Sequence, residues 1–293
     1  MEIGIPAPQG FIPIIPKYVT CASGPWATPG SKFCRVIENY GPTGVSKAIN
    51  TSQLSQRYDP NYGSNMPYVE YHDVTHYVNP RRALEAALRG SSPLQPFISR
   101  VAAALSKGLT GLDQLGLTGS AAVGMEQRFS DVDFTVYGNE AAEALYELFT
   151  SRARAVECKS EFGGVTVRGY SCTPWRRGFV GDSEVPVSWV GVPNEVAGHC
   201  NVLRRYENLS PPSRDVEVTV TIPPRQPMAL LYPPCVASEE GYVVVSYEFN
   251  LGGPLYEGGV VRLVGRLLGD GKTVVLGSRE RPGMLELLEK SKV

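Results

Sequence analysis

Two short stretches of the chain carry side chains suited to phosphate chemistry. Leu117-Thr118-Gly119-Ser120 closes one apolar run, and eleven residues after the serine a second apolar run begins as Asp131-Val132-Asp133-Phe134-Thr135-Val136. Side chains at i and i+2 of a strand share a face, so Asp131 and Asp133 are expected to grip one or two divalent cations together. Gly119 lets backbone N–H groups approach a phosphate, and Ser120 adds a hydroxyl at the start of a short helix, Ser120 to Met125, whose N-terminus faces an anion. Together these residues read as half of a two-metal phosphate site. The competing reading is an ordinary strand with its aspartates in solvent beside a Gly-Ser turn.

Other residues suggest chemistry less sharply. Trp175-Arg176-Arg177-Gly178 sets adjacent guanidinium groups beside an indole, which suits a triphosphate or an RNA backbone; a solvated turn with a packed Trp is the alternative. Arg204-Arg205 reads as a helix end or a solvated face. His72-x-x-x-His76 with Asp73 has the spacing of two ligands on a helix, but Pro67 and Pro80 flank it and the segment Val69 to Val74 fits an extended chain better. Tyrosines at 58, 62, 68, 71 and 77 offer either a stacking surface for bases or rings packed with their hydroxyls at the surface. Gly269-Asp270-Gly271-Lys272-Thr273 resembles the end of a P-loop, yet Arg266 stands where its first glycine belongs, and an Asp-Gly turn is expected.

Gly119-Ser120, ten intervening residues and Asp131-x-Asp133 resemble the signature of the polymerase-beta-like nucleotidyltransferases. The longer string Ser130-Asp131-Val132-Asp133-Phe134-Thr135-Val136-Tyr137-Gly138 is similar to a group of archaeal predicted nucleotidyltransferases, with weaker likeness at Tyr77-Val78-Asn79-Pro80 and along Ala229 to Pro234. The resemblance implies a β-rich N-terminal region, a transferase core and a small β domain after it. It also implies transfer of a nucleoside monophosphate from an NTP to a hydroxyl of RNA, protein or a small molecule, with release of pyrophosphate. Asp131 and Asp133 would hold Mg2+ or Mn2+, Gly119 and Ser120 would seat the β- and γ-phosphates, and Arg176 and Arg177 are candidate phosphate or RNA contacts. The pattern also places a third carboxylate on the strand beside the first pair, where this chain has Ser188. Asp182, Glu184 and Glu195 are the substitutes nearest in sequence. If none serves, the alternative is a non-catalytic nucleotide- or RNA-binding protein that keeps the fold.

The elements that must position these residues divide the 293-residue chain into three parts, and the expected class is α+β. Residues 1–78, rich in Pro, Gly and Tyr, read as an irregular β-rich region. Residues 79–210 read as the core. Asn79-Pro80 opens a helix to Arg89, a second runs from about Leu94 to Lys107, and strand Gln114 to Thr118 leads into the Gly-Ser turn. After the Asp131–Val136 strand, Asn139 caps a helix to about Arg152, and strands 164–170 and 185–190 follow. Residues 211–293 read as a separate module, a small barrel or sandwich of about five strands, either a barrel of oligonucleotide-binding type or a plain structural β domain, with a short helix from Met284 to Leu288. Hydrophobic residues at 42%, charged residues at 19% and a net charge of −1 remove any global electrostatic case for nucleic acid and leave only a local patch. No leader and no apolar run of membrane-spanning length is expected, which points to a cytoplasmic protein. Six cysteines without a Cys-x-x-Cys pair read either as buried small hydrophobes or as one or two disulfides.

Overall fold

The computed structural model describes residues 10–28, 30–37, 42–59, 64–90, 95–125, 130–155, 161–162, 164–171, 174–181, 183–194, 200, 213–277 and 281–291. The N-terminal region contains β1 (Phe11–Pro13), β2 (Tyr18–Thr20), β3 (Trp26–Thr28), β4 (Ser31–Arg35), α1 (Pro42–Thr51), β5 (Gln56–Asp59) and β6 (Ser64–Glu70). These strands form two small antiparallel sheets, β1-β6-β5 and β2-β4-β3, and Cys21 is disulfide-bonded to Cys34 across the second. The β-rich expectation holds here, with α1 as an addition.

At Asn79 the texture changes as expected. The Asn79 Oδ1 accepts from the backbone N–H of Arg81 at 3.0 Å and of Arg82 at 3.2 Å, and Pro80 fills the first position of α2 (Pro80–Arg89), where its missing N–H costs nothing. Then come α3 (Gln95–Ser106), β7 (Leu115–Thr118), β8 (Val132–Tyr137), α4 (Asn139–Arg152), β9 (Arg154–Ala155), β10 (Glu161–Phe162), β11 (Val165–Arg168), β12 (Arg177–Phe179) and β13 (Val187–Val192). Five of them form one mixed sheet in the order β7-β8-β13-β12-β9, in which β8 and β13 are parallel neighbours. Phe134 and Val136 of β8 and Trp189 of β13 are fully buried among the α3 and α4 residues Ile98, Leu105, Leu145 and Phe149.

The remaining elements are β14 (Arg214–Ile222), β15 (Cys235–Ala237), β16 (Val243–Val245), α5 (Gly252–Glu257), β17 (Gly259–Leu267), β18 (Thr273–Val275) and β19 (Gly283–Glu289). They build a curled eight-stranded sheet, larger than the five strands expected. Its spine is β14 against β17, antiparallel from Arg214↔Leu267 to Ile222↔Gly259. Two of the extra strands come from earlier in the chain, because β11 pairs in parallel with β19 and β10 pairs with β11, and the third is β19 itself. Packing also crosses residue 210. Met228, Leu230 and Leu231 lie in the same core as Phe134 and Trp189, Tyr232 N–H donates to Gly191 O at 2.8 Å, and Cys200 is disulfide-bonded to Cys235.

The run Met284 to Leu288, expected as a helix, is part of strand β19. Its residues are good helix formers, but β17 and β11 offer hydrogen-bonding edges on both sides of it, and tertiary pairing overrides intrinsic propensity. Among the described residues no helix is long and apolar enough to cross a membrane.

Candidate functional site

The site grows from strand register. Thr118 of β7 lies opposite Asp133 of β8, Asp133 lies opposite Ser188 of β13, and Ser188 lies opposite Arg177 of β12. Directly opposed residues of neighbouring strands share a face, so Thr118, Asp133, Ser188 and Arg177 form one polar row across four strands. Asp131, two residues ahead of Asp133, joins the same face. The apolar partners Val132, Phe134 and Val136 are all buried, which fixes the register and leaves both carboxylates half-exposed at the start of β8.

The two carboxylates are partnered differently. Asp131 Oδ2 stands 3.3 Å from Arg177 Nη2, in an ion pair with both side chains partly open to solvent. Asp133 Oδ1 accepts a hydrogen bond from Ser188 Oγ. Gly119, with φ +68°, brings the chain down directly onto Asp133: a Cβ at Gly119 would overlap Asp133 Oδ2 and stand 3.1 Å from Asp133 Cγ. Glycine is therefore required at 119 both for its left-handed backbone and for the space. Ser120 follows, buried, with its carbonyl accepting from Val123 N–H at 3.2 Å and Met125 N–H at 3.0 Å. The expected half-helix is only a three-residue 3-10 turn, Ala121–Val123, ended by Gly124 in the left-handed region. One turn carries little macrodipole, so a phosphate at Gly119 and Ser120 would meet individual backbone N–H groups and the hydroxyl in place of a helix dipole.

Arg176 and Arg177, expected to act alike, go to different partners. Arg177 reaches Asp131, whereas Arg176 Nη1 donates to Asn250 Oδ1 at 3.2 Å and its guanidinium lies 4.5 Å from the centre of the Phe249 ring. Burial lowers the Arg176 guanidinium to about 10, with Glu248, Asp133 and Asp131 opposing the shift. It remains a cation at any neutral pH. The neighbours Tyr232, Glu248, Phe249 and Asn250 were not anticipated. The weak trace they leave in sequence is a single acidic residue, Glu248, just after the β-branched run Tyr242 to Tyr247.

Ser188 stands at the position on which the third carboxylate was expected. Glu184 is exposed on the turn before β13, and among the described residues no third His, Cys, Asp or Glu joins Asp131 and Asp133. Asp182, Glu195 and Arg204-Arg205 lie outside the described residues. These donors do not fit a two-cation centre held by three carboxylates. They do fit one Mg2+ or Mn2+, because Mg2+ is commonly held by one or two carboxylates together with substrate phosphate and water oxygens. Asp131 and Asp133 would hold it, with the Ser188 hydroxyl behind Asp133.

The remaining candidates separate from the site. His72 sits on an exposed 3-10 turn, Tyr71–Asp73, that interrupts the expected extended chain, which holds at Val69, Glu70 and Val74; its ring nitrogens lie 3.3 Å from Glu70 and 3.4 Å from Asp73. His76 Nδ1 is 3.2 Å from Thr75 Oγ1, so the pair is not assembled as a metal site. Tyr68 is buried with its hydroxyl on Asp59, while Tyr58, Tyr71 and Tyr77 are exposed and Tyr62 lies outside the described residues. The Gly269–Thr273 run is a turn in which Asp270 accepts from the N–H groups of Lys272 and Thr273, at 3.0 and 2.8 Å. Comparison with protein-family models, with characterised proteins and with solved structures gives no match.

Proposed function

We propose that the chain is a metal-dependent nucleotidyltransferase that binds an NTP with one Mg2+ or Mn2+ and transfers the nucleoside monophosphate to a hydroxyl acceptor, releasing pyrophosphate. The observation that carries this reading is the polar row Thr118, Asp133, Ser188 and Arg177 with Gly119 pressed against Asp133. It joins a close-approach glycine, two carboxylates on one face and a cationic side chain at a single sheet end.

The charges support a one-cation form. Replacing a third carboxylate by Ser188 removes one negative charge, and Arg177 in place of a second divalent cation removes one positive charge, so the total facing a triphosphate is the same. When bound, the cation neutralises the triphosphate and lowers the cost of ionising the acceptor hydroxyl. Arg177 leaves the Asp131 carboxylate as the nucleotide arrives and pairs with a phosphate oxygen, a bidentate role suited to a guanidinium. Gly119 and Ser120 present N–H and hydroxyl donors to the β- and γ-phosphates. Ser188 fixes the Asp133 carboxylate by its hydrogen bond. In-line attack then depends on positioning and charge complementarity.

Ser188 also favours a second reading, nucleotide or RNA binding without transfer, since no described side chain near Asp133 is placed to take the proton of the acceptor. Release of pyrophosphate from each of the four NTPs, with RNA and with protein as acceptor, decides between the two. Transfer predicts release that is lost in Asp131→Ala/Asp133→Ala. NTP and Mn2+ binding without release leaves the binding reading, and Mn2+ binding unchanged in the double variant sinks both.

A further inference from the structure

The sheet face that carries the polar row continues past Arg177. Phe179, two residues further along β12, shares the side on which Arg177 meets Asp131 at 3.3 Å. Arg154 of β9 lies directly opposite Phe179, so it joins the same face, and its guanidinium stands 5.0 Å from the centre of the Phe179 ring. Gly178 lets β12 close onto β9 at this corner, since a Cβ there would stand 2.8 Å from the Arg154 carbonyl oxygen. The Phe179 ring is partly open to solvent and Arg154 is exposed. Extending the registers Val132↔Val187 and Gly178↔Val187 by one residue sets Asp131, Pro186, Phe179 and Arg154 in a second row beside the first. β12 is two strand spacings from β8, about 10 Å. With the strand order β7-β8-β13-β12-β9, the ring and its cation lie on one side of the carboxylate pair, and Gly119 and Ser120, which follow β7, lie on the other.

We propose that Phe179 and Arg154 form the acceptor platform of this site, and that the acceptor is the end of a single-stranded nucleic acid. The acceptor role rests on the transferase reading above. In an in-line displacement the attacking and leaving oxygens stand on opposite sides of phosphorus. Pyrophosphate held at Gly119 and Ser120 leaves toward β7, so the acceptor enters over β13 and β12, where Phe179 and Arg154 lie. Its terminal hydroxyl oxygen bonds to the α-phosphorus as the bond to the bridging pyrophosphate oxygen breaks, and its proton passes to water. The chemistry of the platform selects the class of acceptor. A partly open ring beside two guanidinium groups, Arg154 and Arg177, suits a strand that alternates flat bases with phosphates: bases stack on the ring or on a guanidinium plane, and phosphates pair with the cations. An uncharged protein hydroxyl would leave both cations without a counterpart. A net charge of −1 over the chain confines the attraction to this local patch.

The test is fluorescence anisotropy of the full chain with short adenine-rich RNA and DNA strands, labelled at the 5′ end and free at the 3′ hydroxyl, over a series of salt concentrations. Phe179→Leu, which keeps an apolar side chain but removes the ring, is expected to weaken binding on the order of tenfold, the loss of one stacked base. Arg154→Gln is expected to lower the salt slope by about 0.7, the release of one phosphate contact on a single strand, and Arg154→Lys to keep the slope of the wild type. Mn2+ binding, read by electron paramagnetic resonance, is expected to stay within about twofold in all three, because none of them touches the carboxylate pair. Arg89→Gln, which removes an exposed cation of α2, is the control for charge alone. Binding of neither strand, affinities unchanged in Phe179→Leu and Arg154→Gln, or an equal loss in Arg89→Gln overturns the platform and leaves the metal site standing. Pyrophosphate release with a protein acceptor, undiminished in Phe179→Leu, overturns it as well. Mn2+ binding that survives Asp131→Ala/Asp133→Ala overturns the transferase reading and with it the acceptor role. Should Phe179→Leu fail to fold, the two Arg154 variants decide: a slope lowered in Arg154→Gln alone supports the proposal, and equal slopes refute it.

Discussion

Gly119→Ala tests the site with one methyl group. At φ +68° an L side chain costs about 1–2 kcal/mol in backbone energy. The new Cβ would also overlap Asp133 Oδ2 and press within 3.1 and 3.2 Å of Asp133 Cγ and Cβ. Relief requires the carboxylate to turn, which breaks its bond with the Ser188 hydroxyl. Ser188 is 5% exposed, and leaving such a buried donor without an acceptor costs about 1–3 kcal/mol. The sum, about 2–5 kcal/mol, falls within the stability of an ordinary domain, so the variant is expected to fold with a lowered urea midpoint and impaired Mn2+ binding. Gly124→Ala is the matched control. Its φ is also +68°, but a Cβ there meets nothing within 4 Å, so only the backbone term applies. The difference between the two variants in urea denaturation therefore isolates the Asp133 contact, at about 1–3 kcal/mol. Equal losses of stability in the two variants, with Mn2+ binding intact in both, would refute the packing of Gly119 on the Asp133 carboxylate.

Other consequences follow from the same structure. The Cys200–Cys235 bond spans 35 residues, so Cys235→Ser is expected to cost about 3–4 kcal/mol in loop-closure terms, and peptide mapping without reductant should recover the linked pair. A fragment of residues 213–293 is expected to stay unstructured by circular dichroism and amide exchange, because it lacks the β11 partner of β19 and the core that covers Met228, Leu230 and Leu231; cooperative unfolding of the fragment would show those contacts to be dispensable. Burial raises the Glu257 carboxyl above its ordinary value of 4.5, against the pull of Lys290. A raised acid stabilises the fold below that ordinary value, and the contribution is lost as pH rises through the folded value. Glu257→Gln is expected to have a higher urea midpoint than wild type at pH 7 and to converge with it near pH 4, and identical midpoints across that range would contradict it.

The chain signals local order well and long-range pairing poorly. Asn79-Pro80 announces α2 because capping and a preset φ act within four residues, and the alternation of Arg214 to Ile222 announces β14 because one face of the strand is buried. The carboxylate face was legible for the same reason, since the spacing of Asp131 and Asp133 and the buried Val132 and Phe134 are local properties. The length of the helix after Ser120 was not, because Gly124 ends it at one turn. Met284 to Leu288 has helix-forming residues, and only the two strand edges waiting for it, one formed by residues 165–168, make it a strand. No local rule places those residues together.

That same nonlocality explains why the sequence could not tell the two arginines apart. Trp175-Arg176-Arg177 looks like a bidentate phosphate clamp because both guanidinium groups lie on one short run, and sequence reading has no means of sending them apart. What separates them is a segment some 70 residues away: Asn250 and Phe249 hold Arg176, leaving only Arg177 on Asp131. The two cations then take different roles. Arg177 is half-exposed in an ion pair with Asp131 that contributes little in water, and under the proposed function it is the guanidinium that exchanges a carboxylate for a phosphate. Arg176, stacked and hydrogen-bonded, is not. Of the two guanidinium groups, Arg177 is therefore the one in contact with the carboxylate pair and within reach of a ligand there.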